Sequence, residues 1–470
     1  MKEYKLYLAG KFVDTKEKIE IKNPYQQEAF AYTFLAGKED LEEAITAAQR
    51  VEKELRSLAS YKRYEILMQI AEGLRKELDY FSCLLSEESG KPMRYAKGEI
   101  NRAIQTFTVA AEEARRLPGE VISLDWTPAG EGKQGVVRYF PVGLVAGISP
   151  FNFPMNLAVH KIAPAIASGC PIILKPSTNT PLSTLALAEI IDKTSLPKGA
   201  ISILPMSRTV GNQLVTDDRF KLLSFTGSPH VGWMMKAQSG RKKVLLELGG
   251  NAGMVVTQSA DLDLAVQKAL VGGFAYSGQV CIHAQRIYVA QEIFDEFAER
   301  FITKVKNLKL GNPLDDETEI SAMIDEANAI RVENWVNEAV EDGAKVLCGG
   351  KRKGTYYEPT VLSETKPKMK VCALEVFGPV VTLEPFSDFK AVIDEVNDSE
   401  FGLQAGVFTK LIDEMDYAFE NLEVGGVMIN DAPIFRVDHM PYGGIKDSGL
   451  GREGLKYAIQ EMMEARILVR

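Results

Sequence analysis

The sequence predicts an α/β protein built on a parallel sheet, and three observations lead there. Between Val142 and Leu248 short apolar runs at residues 142–148, 171–174, 200–204, 222–225 and 244–248 alternate with helical ones, the pattern of strands joined by crossover helices. A second set of strands and helices follows from Ala252 to Asn430. At 470 residues the chain exceeds one ordinary core, so two domains or more are expected.

The first quarter is helical. Residues 40–58 and 63–85 place Leu, Ile, Ala and Met three or four apart between charges, and Gly90 with Pro92 stops the second run. Strand-like runs at 120–124 and 136–140, joined through Gly130, Gly132 and Gly135, predict a hairpin arm. Ahead of the strand-like run 285–290, the turn Tyr276-Ser277-Gly278-Gln279-Val280-Cys281 delivers one cysteine.

Composition excludes several function classes. A content of 46% hydrophobic and 25% charged residues is ordinary for a globular protein. The net charge of −9 and pI near 5.3 give no electrostatic reason to bind nucleic acid or anionic lipid. Five scattered cysteines, an odd number, fit a reducing compartment, and a cytoplasmic location is expected. The start lacks a signal-peptide pattern, and no run reaches membrane-spanning length without proline or charge. His160, His230, His283 and His439 are scattered and lack the i, i+4 spacing of a helical zinc site, so no metal is expected.

Three residues carry candidate chemistry. Cys281 is a nucleophile candidate, because a thiolate adds readily to an electrophilic carbon and Gly278 lets the backbone come close to a ligand. Glu247 lies in the apolar run Lys243-Val244-Leu245-Leu246-Glu247-Leu248, where burial would raise its pKa and make it a better base. Asn152, in Ser149-Pro150-Phe151-Asn152-Phe153-Pro154, offers an amide at a rigid turn that can donate to an oxyanion. Each also has a bland reading: a buried apolar thiol, a strand-end salt bridge, and a turn residue bonding its own backbone.

For a nucleotide, the match Gly449-Leu450-Gly451-Arg452-Glu453-Gly454 is rejected as a dinucleotide fingerprint. It follows no strand, and too few residues remain for a second strand and a ribose-binding acid. Better candidates are Lys175, at a strand end, and Gly227-Ser228, opening a helix whose N–H groups can meet phosphate.

Taken together, Gly278, Gln279 and Cys281, the segment Glu247 to Gly250, and Pro150, Asn152, Phe153 and Pro154 resemble motifs of the aldehyde dehydrogenase superfamily. Leu174-Lys175-Pro176-Ser177, Phe225-Thr226-Gly227-Ser228, Glu375-Val376-Phe377-Gly378-Pro379 and Pro441-Tyr442-Gly443-Gly444 extend the resemblance over nearly the whole chain. It implies a Rossmann-type nucleotide-binding domain from 1–118 and 142–249, a catalytic domain from 250–445, and an oligomerisation arm from 119–141 and 460–470. In proteins that the sequence resembles, the arm crosses to a partner and pairs with the terminal strand, which implies a homodimer or homotetramer. The residues alone equally allow an ordinary surface hairpin.

The same resemblance implies NAD or NADP as cofactor, held by Ser149, Phe151, Lys175, Ser177, Thr178, Gly227, Ser228, Glu375 and Phe377. Members that prefer NAD often carry a glutamate where this chain has Thr178. A neutral Thr178 removes a repulsion, so NADP should be tolerated, the preference between the two cofactors staying open, and Arg208 is a candidate to meet its phosphate. The implied reaction is oxidation of an aldehyde to an acid. Cys281 adds to the carbonyl, Asn152 and the Cys281 N–H stabilise the oxyanion, hydride leaves for the nicotinamide, and Glu247 activates the water that hydrolyses the thioester.

Arg436 resembles an arginine that some relatives use for hydroxylated or phosphorylated small aldehydes, and its bland reading is a salt bridge with Asp438 or Glu464. Val280 argues against a phosphorylated substrate, since relatives specific for one often have arginine there. A hydroxyaldehyde such as lactaldehyde, or a semialdehyde, is the expected class. The rivals are a cysteine esterase using His283, two residues from Cys281, and a non-enzymatic binding or structural protein that has kept the fold.

Overall fold

Five parallel strands form the middle of an eight-stranded sheet, in the order Lys243–Glu247, Leu222–Thr226, Val145–Ile148, Ile172–Lys175 and Ile201–Ile203. The computed structural model describes all 470 residues. These strands are almost wholly buried, as expected of a sheet covered on both faces, and their sequences are correspondingly rich in apolar residues, with charged residues only at strand ends. From Val145–Ile148 the chain winds outward to Ile201–Ile203, then returns to build Leu222–Thr226 on the other side. That reversal opens a crevice at the carboxyl ends of Val145–Ile148 and Leu222–Thr226, the place where open α/β sheets bind ligands.

A second, seven-stranded sheet contains Thr360–Ser363, Val380–Phe386, Arg286–Ala290, Gly253–Val256, Gln404–Phe408 and Gly426–Ile429 in parallel, with Lys345–Cys348 antiparallel at one edge. The chain passes directly from Glu247, at the end of a strand of the first sheet, to Gly253, at the start of one in the second. The carboxyl edge of one sheet therefore faces the amino edge of the other. Cys281, lying just ahead of Arg286–Ala290, falls at this junction.

The helices show where local pattern falls short. The run expected at 63–85 is two helices, Ser60–Lys76 and Leu78–Ser89, separated at Glu77, whose φ of −110° and ψ of 23° leave the helical region. The apolar spacing runs on across the break because both helices pack on the same neighbours, Met93–Ala114 and Leu182–Asp192. The long helix Met93–Ala114 was not anticipated from the sequence. Pro154–Ser168 is the crossover helix expected between the first two parallel strands, and it is buried along its whole length, so it has no solvent-exposed face.

Pro154–Ser168 begins at a proline that lacks an N–H, and the next two orphan donors, from Met155 and Asn156, both reach Glu99 Oε1 at 3.0 Å. Glu99 is paired with Lys91, and both side chains are fully buried. Lys91 also donates to the Asn152 carbonyl at 2.7 Å.

The hairpin arm forms as expected, from Gly119–Ser123 and Gln134–Pro141. Met463–Val469 completes a three-stranded antiparallel sheet, with Met463 opposite Pro141 and Val469 opposite Gly135. The terminal strand thus pairs with the hairpin of its own chain.

The turn before Cys281 is conformationally costly. Tyr276, Ser277 and Gly278 have φ of 50°, 53° and 68°, three successive residues in the left-handed region. Surrounding bonds hold it: Tyr276 Oη donates to the Ser89 carbonyl at 2.9 Å, Ser277 Oγ to the Ser321 carbonyl at 2.8 Å, and Gln279 Oε1 accepts from the Ile324 N–H at 2.9 Å. At Gly278 a Cβ would stand 2.0 Å from the Gly378 carbonyl oxygen. Gly278→Ala should therefore lower stability by about 2 kcal/mol or more, from left-handed strain and overlap with rigid backbone. A lowered midpoint of thermal or denaturant unfolding checks this, and an unchanged midpoint refutes the assigned close approach.

Candidate active site

Cys281 lies in the wall shared by two cavities of about 430 Å³ each. The first is bounded by Phe153, Tyr276, Val280, Ile282 and Tyr442, with Arg94, Arg102 and Arg436 at its polar parts. The second runs past Asn152, Glu247 and Glu375 to Gly227 and Ser228, with Phe151 and Phe377 along its side. The sheet junction thus brings together all three chemistry-bearing residues read from the sequence.

The thiol is partly exposed, and its Sγ lies 3.1 Å from Tyr442 Oη. Burial pushes the thiol up to about 11, opposed by the Tyr442 hydrogen bond and the Arg436 charge and reinforced by Glu375 and Glu247. Asn152 is buried, and its amide donates to the Gln279 carbonyl at 3.0 Å, joining the turn of the first sheet to the turn that carries Cys281. The Cys281 N–H makes no backbone hydrogen bond, so a donor remains beside the sulfur. His283 instead engages the Gly273 carbonyl at 2.8 Å, and burial lowers its pKa to about 4. The pairing on which the esterase alternative depended is not formed.

Glu247 and Glu453 form a contrasting pair. Burial, then the charge of Glu453, raises Glu247 well above the usual carboxylate range, and its Oε2 has no partner in the chain. Glu453 is held low, despite its own burial, by Lys161, His160 and Arg436. Two neighbouring carboxyls are thereby driven apart, one kept charged and the other given a stronger hold on its proton. The rejected glycine motif has its explanation here: Gly449–Leu450 is an edge strand paired with Leu246 and Glu247, and Glu453 belongs to this cluster.

Arg436 makes neither expected salt bridge. Its Nη2 donates to Glu453 at 2.8 Å, its guanidinium lies 3.6 Å above the Tyr442 ring, and its Nε is buried without a partner. Asp438 is taken by Arg102 and His160, each at 2.8 Å, and Glu464 by Lys243. The sequence reading missed Arg94 and Arg102. Both lie on the unanticipated helix Met93–Ala114, where i, i+4, i+8 spacing puts Arg94, Gly98 and Arg102 on the face toward the cavity.

The residues of the second cavity fit a dinucleotide. Ser149 Oγ is buried with no partner, at the crevice where the first sheet reverses. Ser228 precedes the helix Pro229–Gln238 without capping it, which leaves that helix's first N–H groups free toward the cavity. Gly227 has another reason to be glycine, since a Cβ there would lie 2.5 Å from the Phe225 ring. Phe151 and Phe377 meet edge to face, with centroids 5.8 Å apart. Burial raises Glu375 to about 7, countered by the Gly250 N–H at 3.1 Å and by Arg331.

Lys175, Ser177 and Thr178 lie beyond this cavity, at and after the carboxyl end of Ile172–Lys175. Burial first, and then the charge of Arg208, push the Lys175 ammonium below its usual range. Lys175 and Arg208 thus feel each other's charge, with Thr178 three residues along the chain from the lysine.

Comparison with known proteins agrees with this architecture. The family described as "Aldehyde dehydrogenase family" matches residues 12–468. A 3-sulfolactaldehyde dehydrogenase of Priestia megaterium is 43% identical, over 100% of this chain and 98% of its own length. A lactaldehyde dehydrogenase of Methanococcus aeolicus is 40% identical, over 99% of each. Among solved structures, aldehyde dehydrogenase 21 from Physcomitrella patens, in complex with its reaction product succinate, superposes with a TM-score of 0.98 at 46% identity, covering 100% of this chain and 98% of that one. The glyceraldehyde-3-phosphate dehydrogenase GapN from Methanocaldococcus jannaschii, complexed with NADP, gives 0.93 at 38% identity, covering 97% and 99%. With its fold, its ordered motifs and this likeness along the whole length, the chain belongs to the aldehyde dehydrogenase family.

Proposed function

We propose that the protein oxidises a small aldehyde with an anionic far end, such as a semialdehyde, to the corresponding acid, using NAD or NADP. The observation that carries the reading is the single thiol in the wall between two cavities, one lined by three arginines and the other fitted to a dinucleotide. The relatives agree in part: one is named for a sulfonated aldehyde, one solved structure holds a dicarboxylate product, and another is named for a phosphorylated aldehyde.

In this reading Cys281 adds to the carbonyl carbon, and the developing oxyanion is met by the Asn152 amide and the Cys281 N–H. Ser149, Lys175, Ser228 and Glu375 would hold the dinucleotide, which when bound supplies the hydride acceptor. The thioester left on Cys281 is hydrolysed by water that Glu247 deprotonates. Glu247 suits that task because burial raises its pKa above the usual carboxylate range, which makes its ionised form a stronger base. The arginine side of the cavity takes the substrate's anion, with Arg436 Nε a free buried donor.

A second reading, a neutral hydroxyaldehyde such as lactaldehyde, draws on the fact that Arg102 and Arg436 already face Asp438 and Glu453. It also agrees with the name of the methanococcal relative. The exposed apolar groups of the arm sheet, Val121, Ile467 and Leu468, together with Trp126 of its connecting loop, support a homodimer or homotetramer in which they are covered. Five free thiols support a reducing, cytoplasmic setting.

A panel of aldehydes followed by NAD(P)H absorbance tests the substrate class. Aldehydes with a carboxylate or sulfonate should show the highest kcat/KM. Arg102→Met should lower that value about tenfold to a hundredfold for them and little for neutral analogues, the loss of a hydrogen bond to a charged group. Equal losses for both would refute the anionic assignment.

Glu247→Gln separates the half-reactions. It should keep a stoichiometric burst of reduced cofactor while turnover slows, and the rise of kcat with pH, which in the parent follows ionisation of Glu247, should flatten. Loss of the burst in a folded, cofactor-binding variant refutes the assignment.

Cofactor choice is tested at Thr178. A carboxylate there would repel a 2′-phosphate by about 1–4 kcal/mol at near contact. Thr178→Glu should thus raise the KM for NADP far more than that for NAD. Equal changes would assign the choice to Lys175 and Arg208.

A further inference from the structure

We propose that Tyr442 is a further catalytic residue, whose phenol hydroxyl donates a hydrogen bond to Cys281 Sγ and sustains the thiolate. The inference rests on the reading of Cys281 as the nucleophile. Its basis is geometric: Tyr442 Oη lies 3.1 Å from Sγ, and no other side chain bonds the sulfur. Asn152 is engaged with the Gln279 carbonyl and His283 with that of Gly273. The charged groups acting on the thiol are Glu247 from the first sheet, Glu375 from the loop before Val380–Phe386, and Arg436 from the same C-terminal segment as Tyr442. Both carboxyls disfavour a thiolate, and Tyr442 Oη is the side-chain donor within hydrogen-bond reach of the sulfur.

Tyr442 is built to donate without giving up its proton. It is buried, its backbone is paired with Glu453 in both directions, and burial, then the neighbouring thiol, holds the phenol well above its ordinary range. The Arg436 guanidinium over the ring draws electron density from the phenol and strengthens the O–H as a donor. Pushed up to about 11, the thiol is almost wholly protonated at neutral pH, so each unit by which a donor lowers it gives about tenfold more thiolate. The accompanying loss of intrinsic nucleophilicity is only about threefold, so the donor is a net gain.

The test is the pH dependence of Cys281 alkylation by iodoacetamide, mapped by peptide mass spectrometry on the whole protein. Tyr442→Phe keeps the ring and removes the hydroxyl, and the alkylation midpoint should rise by about one pH unit or more. Replacement of Tyr442 by 3-fluorotyrosine, a stronger donor of nearly the same shape, should lower it, and this variant decides the matter if the Phe variant does not fold. An unchanged or lowered midpoint in folded Tyr442→Phe, or an unchanged or raised midpoint with fluorotyrosine, overturns the proposal. Dehydrogenase turnover by Cys281→Ala would instead remove the nucleophile on which it rests, whatever the alkylation profile.

Discussion

The buried pair Lys91–Glu99 is the contact on which the geometry of the site depends. Glu99 takes two orphan N–H groups of Pro154–Ser168, and Lys91 takes the Asn152 carbonyl while lying 3.7 Å from the Phe153 ring centroid and 4.4 Å from that of Tyr276. One ammonium therefore touches both the asparagine turn of the first sheet and the cysteine turn of the second. Burial lowers its pKa, and the Glu99 charge restores part of the loss. A buried ion pair of this kind adds little net stability compared with an apolar filling, but removing one partner strands a charge in the core and costs about 3–5 kcal/mol. Its value here is orientation, because it leaves the two turns one mutual arrangement.

The left-handed turn at Tyr276–Gly278 is tolerable only because that arrangement is enforced. Gly278 sits against the Gly378 carbonyl, so the cysteine motif and the Glu375–Pro379 motif interlock through backbone rather than side chains. This is why both segments could be read in the sequence as glycine-bearing motifs, although neither reveals the other as its partner. Strain at Tyr276 and Ser277 is absorbed by bonds to Ser89 and Ser321, residues far away along the chain.

What was legible in the sequence follows the same division. The parallel strands were readable because full burial leaves continuous apolar runs, and Cys281, Glu247 and Asn152 were readable because each stands in a motif of fixed spacing. Arg94 and Arg102 were not, since a charged residue on a helix face reads as solvated surface until the helix is known to line a cavity. The partners of Arg436 were misread for a related reason: Asp438 is close in sequence, yet it serves Arg102 and His160 across the fold, while Glu453 arrives through the edge strand beside Glu247. Periodicity also joined two helices that part at Glu77, because both bury their apolar stripes against the same two helices and the spacing carries on through the backbone break.

The distribution of charge across the thiol ties these parts to the proposed chemistry. On one side Arg94, Arg102 and Arg436 line the cavity for the aldehyde; on the other stand the carboxyls Glu247 and Glu375, a poor surface for a polyanionic dinucleotide if both were ionised. Burial raises both, Glu375 to about 7, which weakens that repulsion. In the proposed chemistry the same desolvation would also make the ionised Glu247 a stronger base for thioester hydrolysis. The same desolvation protonates Cys281, and that is the cost which a hydrogen-bond donor at Tyr442 offsets on the substrate side, where Arg436 lies over its ring.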